Sequence, residues 1–143
     1  MTIVVRVLGS TDEAMLQHVA PDVFDKPIES HLAAEFLHDD RHHLAVALDG
    51  DVIVGFASGV TYVHPDKPQE LWINEVGVAS SHRKQGIGKR VIQALLEVGR
   101  AKGCREAWVL TDRSNTVANQ LYKSIGGTEA PGETIMYSFM LDA

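Results

Sequence analysis

The chain has 143 residues, is 45% apolar and 22% charged, and carries a net charge of −6. That balance excludes a disordered segment and argues against a general nucleic-acid binder, whose surface must be basic. No apolar run approaches a membrane span and the single cysteine, Cys104, cannot close an internal disulfide, so one domain over residues 1–143 is expected, cytoplasmic, off the membrane and with nothing removed.

In chain order, residues 2–8 predict a first strand. Ser10 or Thr11 can cap a helix with Asp12 and Glu13 in its first turn, Met15, Leu16 and Val19 on its apolar side, and Pro21 as its stop. A loop at 22–27 leads to a second helix over 28–37, with Leu32, Ala33, Phe36 and Leu37 as its stripe. Residues 42–48 and 52–63 form a hairpin about the turn Asp49-Gly50-Asp51. After a proline-pinned loop (His64 to Gln69), a central strand starts at Glu70. A long helix follows and stops at Gly103; then come a fifth strand over 106–111, a helix marked by Val117, Ala118, Leu121, Tyr122 and Ile125, and an alternating final strand over 134–141. The order strand, two helices, three strands, helix, strand, helix, strand is an α+β sheet with a strand–helix–strand unit at its centre.

Residues 71–89 carry the strongest signal. Leu71, Trp72, Ile73, Val76 and Val78 read as a strand; Ile87, Val91, Ala94, Leu95 and Val98 recur at helical spacing. Between them, Arg83-Lys84-Gln85-Gly86-Ile87-Gly88 places two glycines and flanking cations at a helix N-terminus. Unpaired N–H groups and the positive dipole end there suit a phosphate or diphosphate. The Walker pattern fails because Gly88 is followed by Lys89-Arg90, and the dinucleotide fingerprint fails because Val91 stands where a third glycine is needed.

Arg83-x-x-Gly86-x-Gly88 after Val76-x-Val78 instead resembles the pyrophosphate signature of the GNAT superfamily of acyl-CoA-dependent N-acyltransferases, and the element order matches along nearly the whole chain. The resemblance implies a mixed, mostly antiparallel sheet splayed at the acyl-CoA site. It implies that amides from Lys84 through Gln85, Gly86, Ile87 and Gly88 to Lys89, with Arg83, hold the diphosphate of acetyl-CoA. The backbone of Val76, Gly77 and Val78 would pair with the pantetheine arm. Asn115-x-x-Ala118-x-x-Leu121-Tyr122 resembles the family's second signature; the resemblance implies Asn115 and Ala118 beside the coenzyme and Tyr122 facing its sulfur, where a phenol can protonate the departing thiolate, the other reading of Tyr122 being a core residue on the helix's apolar stripe.

Glu75 is a carboxylate inside an otherwise apolar strand. Burial would raise its pKa and let it take a proton from the attacking amine, directly or through water. The other readings are an ion-paired Glu or one that binds only the substrate's charge. Cys104 has no evident partner base and reads as a small buried thiol. His31, His38, His42 and His43 diverge between a helix and a strand and read as surface residues, so no metal is expected.

The stretch Tyr62 to Pro68 with Glu70 to Val78, and the acidic loop Asp22-Val23-Phe24-Asp25, resemble the short type-I aminoglycoside 3-N-acetyltransferase branch. The resemblance implies acetyl transfer to an aminoglycoside amine, at the 3-position, with Asp25, Glu70, Glu75 and Asp112 lining an acidic pocket. Another small polyamine or a protein amine is the alternative acceptor; a non-catalytic acyl-CoA-binding module is the alternative class. Ser80 stands where the family has proline. Pairing as a homodimer is also implied, with Ile135, Tyr137, Phe139 and Leu141 as either interface or core.

Overall fold

A computed structural model describes residues 2–142. One five-stranded sheet organises them, in the order β1 (Ile3–Val7), β2 (His42–Asp49), β3 (Val52–Tyr62), β4 (Glu70–Val78), β5 (Glu106–Val109). The first four strands are antiparallel neighbours; β5 runs parallel to β4. Helix α1 (Ser30–Leu37) lies against β2, α2 (Ile87–Ala101) packs across β1 to β4, and α3 (Thr116–Ser124) packs beside α2.

The long middle helix is the core's main contributor. Ile87, Val91, Ile92 and Leu95 are all essentially buried, as are Leu71 and Ile73 of the central strand. Each such side chain contributes about 1.5–3 kcal/mol. The β2–β3 hairpin forms as expected, with Gly50 at φ +64° in the turn.

Two sequence expectations fail. The helix after β1 shrinks to a 3-10 turn, Glu13–Gln17. Neither Ser10 nor Thr11 caps it; the Asp12 carboxylate turns back to accept from Gly9 N–H (2.8 Å) and Arg6 (2.9 Å), so the turn's own amides lack a side-chain cap. The final strand over 134–141 does not form. Residues 128–142 pair with no strand, and Ile135, Met136, Tyr137, Phe139, Met140 and Leu141 are all exposed. Alternation makes a segment strand-capable, but a strand exists only beside a partner edge.

Two irregularities in the central strand shape the site. Ser58 pairs with Glu75 and Gly59 with Ile73, so Asn74 is an extra, unpaired residue on β4. Strict alternation from Leu71 and Ile73 would point Glu75 into the α2 face; the bulge resets the phase and turns it to the α1 face. Further on, β4 and β5 pair only from Glu70↔Glu106 to Ile73↔Val109. Since β5 stops at Val109 and β4 continues to Val78, the outer backbone edge of residues 74–78 has no strand beside it among the described residues.

Candidate active site

The mouth of α2 is built as a ring of donors. Gly86 is the N-cap, at φ +76°, and Lys84 is also left-handed at φ +63°. A Cβ at Gly86 would meet open space, so its left-handed backbone, not a steric limit, requires glycine. The first helical bond runs from Arg90 N–H to Gly86 C=O (3.1 Å), which leaves the amides of Ile87, Gly88 and Lys89 without intrahelical partners. Concave runs of such N–H groups hold anions. Arg83 Nε reaches the Val78 carbonyl at 3.4 Å and so brings its charge over the end of β4.

From that mouth the free edge of β4 runs past Val78, Gly77 and Val76 to Glu75. On their other edge these residues pair with Gly55, Phe56 and Ala57. Gly77 is required by space: a Cβ there would strike the Val23 carbonyl and lie 2.8 Å from the Phe56 ring. The edge therefore leads from phosphate donors to a carboxylate. A coenzyme with a diphosphate at one end and an amide-bearing arm fits this arrangement.

Glu75 is exposed, not buried as the sequence implied, because the bulge at Asn74 carries it out of the core. It lines a cavity of about 200 Å³ on the α1 face. The walls are largely apolar: Phe24, Phe36 and Phe56 with Ile28, Leu32 and Leu44, and only Glu29, Ser58 and Glu75 add polar side chains. Phe24 and Phe56 stack with ring centroids 4.0 Å apart. Sequence reasoning misses Glu29, the N-cap of α1. Its one signal is a carboxylate just before a helix, which reads equally well as capping.

Tyr122 sits on α3, half-buried against the core. Burial raises its pKa above the ordinary 10.0, so the phenol holds its proton at neutral pH. Asn115 serves the fold directly, because its side chain caps α3 by accepting from Ala118 N–H at 3.0 Å. Asn119 adds bonds to the carbonyls of Asp112 (3.1 Å) and Asn115 (2.7 Å), fixing the loop that aims α3. Leu121 packs against Gly88, where a Cβ would lie 3.2 Å from Leu121 Cδ2, so the helix mouth and the Tyr122 helix are in direct contact.

The four carboxylates expected to share a pocket do not. Glu70 is held in an aromatic cluster instead: its carboxylate accepts from Tyr62 OH at 3.1 Å, and Trp108 Nε1 donates to the same Tyr62 oxygen at 2.6 Å. His64 Nε2 lies 3.1 Å from the Glu70 carboxylate, off the line of a hydrogen bond. Trp72 stacks on Trp108 beside this cluster. Asp25 lines an adjoining cavity with Asp22 and Lys26, which shares Leu16, Phe24, Pro27 and Ile28 with the Glu75 cavity, and Asp112 lies exposed in the loop before α3. Only Glu75 of the four reaches the apolar cavity, where Glu29 joins it.

Other titratable groups have structural partners. His43, expected at the surface, is buried against Thr61 (3.0 Å), and desolvation pushes its pKa down to about 4. His82 bridges Ser81 Oγ (2.7 Å) and Asp49 Oδ2 (2.8 Å), tying the β2–β3 hairpin to the turn before α2. Burial raises the Cys104 thiol's pKa, which keeps it protonated and a poor nucleophile. Among the described residues, no group of three or more His, Cys, Asp or Glu side chains could hold a metal ion, and no helix is long and apolar enough to cross a membrane.

Unpaired N–H groups at a helix mouth, an open strand edge and a carboxylate beyond it suit an enzyme that takes an acyl group from a coenzyme A thioester. The acetyltransferase (GNAT) family model matches residues 12–126, and the chain belongs to that family. It is similar to aminoglycoside N(6′)-acetyltransferase type 1 of Salmonella typhimurium, 30% identical over 109 residues that cover 72% of this chain and 75% of that one. It is also similar to streptothricin acetyltransferase of Streptomyces lavendulae, 31% identical over 114 residues, 71% of this chain and 58% of that one. The fold is shared with an aminoglycoside acetyltransferase, HMB0005, from an uncultured soil metagenomic sample (TM-score 0.81, 22% identity, 99% of this chain and 100% of that one). It is shared too with AAC(6′)-Iy in complex with a coenzyme A bisubstrate analogue (TM-score 0.79, 24% identity, 99% and 100%). The protein is thus an acetyl-CoA-dependent acetyltransferase.

Proposed function

We propose that the protein transfers acetyl from acetyl-CoA directly to a primary amine of an aminoglycoside. The observation that carries this reading is the free outer edge of β4, which joins the donors at Ile87 to Lys89 to the Glu75 cavity. The coenzyme, held at the α2 mouth and along Val76 to Val78, supplies the thioester. Arg83, Lys84, Gln85 and Gly86 shape the mouth, while Asn115 and Ala118 keep α3 alongside. Glu75 takes the proton that the acceptor's ammonium must lose, directly or through a water, so that its lone pair can attack the thioester carbon. As the C–N bond forms and the C–S bond breaks, the Tyr122 hydroxyl gives its proton to the departing sulfur, and the second proton that the nitrogen sheds on becoming an amide returns through water to the phenolate. An exposed Glu75 also holds the acceptor's positive charge, so positioning and proton removal fall to one group.

The 3-amine is the position expected from the sequence; the Salmonella relative's name carries the 6′-amine. A narrow apolar cavity supports the 6′-amine, which stands on a primary carbon and so projects further from its ring. The test is thiol release by purified protein with acetyl-CoA and neamine-type acceptors, followed by product analysis. Acetylation of spermidine or a peptide amine alone would replace this acceptor class. Binding of acetyl-CoA with no release on any amine would leave the non-catalytic reading.

We propose further that the protein works in the cytoplasm and pairs as a homodimer. For the pairing, the exposed apolar side chains from Ile135 to Leu141 supply contact surface.

A further inference from the structure

We infer that the acceptor enters the Glu75 cavity by a sugar ring stripped of neighbouring hydroxyls; this rests on the aminoglycoside reading above. At about 200 Å³ the cavity itself has room for one ring of a larger acceptor, and the cavity of about 580 Å³ with which it shares Leu16, Phe24, Pro27 and Ile28 has room for the rest. Its two carboxylates, Glu75 and Glu29, match an ammonium on that ring. The remaining wall offers hydroxylated sugar almost nothing. Phe24, Phe36 and Phe56 cannot accept or donate conventional hydrogen bonds, and Ser58 supplies a single hydroxyl. A ring hydroxyl pressed on those faces loses its water without replacement, whereas a ring CH₂ in the same place buries apolar surface. The rim repeats the pattern: Leu32 and Ile28, 49% and 37% exposed, are large apolar side chains open to solvent beside the cavity.

Kanamycin B, tobramycin and dibekacin share one scaffold and lose first the 3′-hydroxyl and then the 4′-hydroxyl of the ring that bears the 6′-amine. Thiol release should give kcat/KM rising in that order, by about five-fold or more for each hydroxyl removed. Equal values, or a fall along the series, overturn the inference while leaving the acetyltransferase reading intact. Turnover of spermidine or a peptide with none of the three removes the aminoglycoside reading, and this inference with it. Leu32→Gln and Ile28→Gln, at exposed positions that leave the core untouched, should each shrink the dibekacin to kanamycin B ratio by offering the hydroxyls a partner. A ratio unchanged in both variants would seat the ring elsewhere and overturn the inference.

Discussion

Ser80 N–H donates to Asp22 Oδ1 at 3.1 Å, across 58 residues of sequence. This bond ties the loop that carries Val23 and Phe24 to the turn that leads into the mouth of α2. It also explains the residue at position 80: the proline usual in the family has no N–H to give. Hydrogen bonding from the Ser80 side chain, then this backbone bond, with Arg83 nearby, lowers the Asp22 pKa. Ser80→Pro should therefore raise the KM for acetyl-CoA, roughly three- to ten-fold, by freeing the loop beside the helix mouth. Asp22→Asn, which keeps an acceptor and tolerates the left-handed backbone (φ +58°), should change KM far less. Steady-state kinetics at fixed acceptor concentration checks both.

Gly77 and Gly86 should respond differently to alanine. At Gly77 the new methyl meets the Val23 carbonyl and the Phe56 ring, so Gly77→Ala should cost about 2–3 kcal/mol and displace the cavity wall. At Gly86 the methyl meets open space, and Gly86→Ala loses only what the left-handed backbone demands, about 1–2 kcal/mol. Urea denaturation should rank Gly77→Ala below Gly86→Ala, while coenzyme affinity should fall in both.

His43 gives the fold a defined acid sensitivity. Its pKa falls from 6.5 to about 4 in the folded chain, chiefly through burial, with Lys102 and His42 opposing its charge and Asp39 favouring it. The unfolded chain binds a proton between those values and the folded chain does not, so stability is full above pH 6.5 and declines as pH falls towards 4. The loss is on the order of 2–3 kcal/mol. In urea titrations at pH 7.5 and 4.5, His43→Gln should show a smaller drop than the wild type.

Glu75 and Tyr122 should separate by pH. Glu75→Gln should flatten the acidic limb of kcat/KM and lower its plateau by about 10²–10⁴-fold, as expected of a carboxylate that takes the amine's proton. Tyr122→Phe should lower kcat with little change in acceptor KM. Because burial holds the phenol's pKa above 10.0, wild-type activity should show no alkaline loss from Tyr122 below that pH. Thiol-release assays from pH 5.5 to 9.5 provide the profiles.

Much of the fold is legible in the residues because it is local. The Asp49-Gly50-Asp51 turn, the apolar stripe from Ile87 to Val98 and the glycine-capped mouth each depend on neighbours a few positions away, and each forms as expected. What the sequence hides is set by distant partners. The Asn74 bulge depends on register with Ser58 and Gly59, and it decides that Glu75 faces the cavity and is exposed. Glu70 has the sequence character of a pocket residue, but the Tyr62 hydroxyl engages it across the β3–β4 pair. The alternation over 134–141 shows strand capacity and is silent on whether an edge lies beside it.

A crystal structure of the protein with coenzyme A tests most directly whether the mouth of α2 and the open edge of β4 hold the acetyl donor. The expected result is diphosphate oxygens within hydrogen-bond distance of the Ile87 and Gly88 amides, and a pantetheine arm paired along Val76 to Val78 with its sulfur near Tyr122. A diphosphate bound elsewhere, or an arm that leaves the β4 edge unpaired, would contradict it.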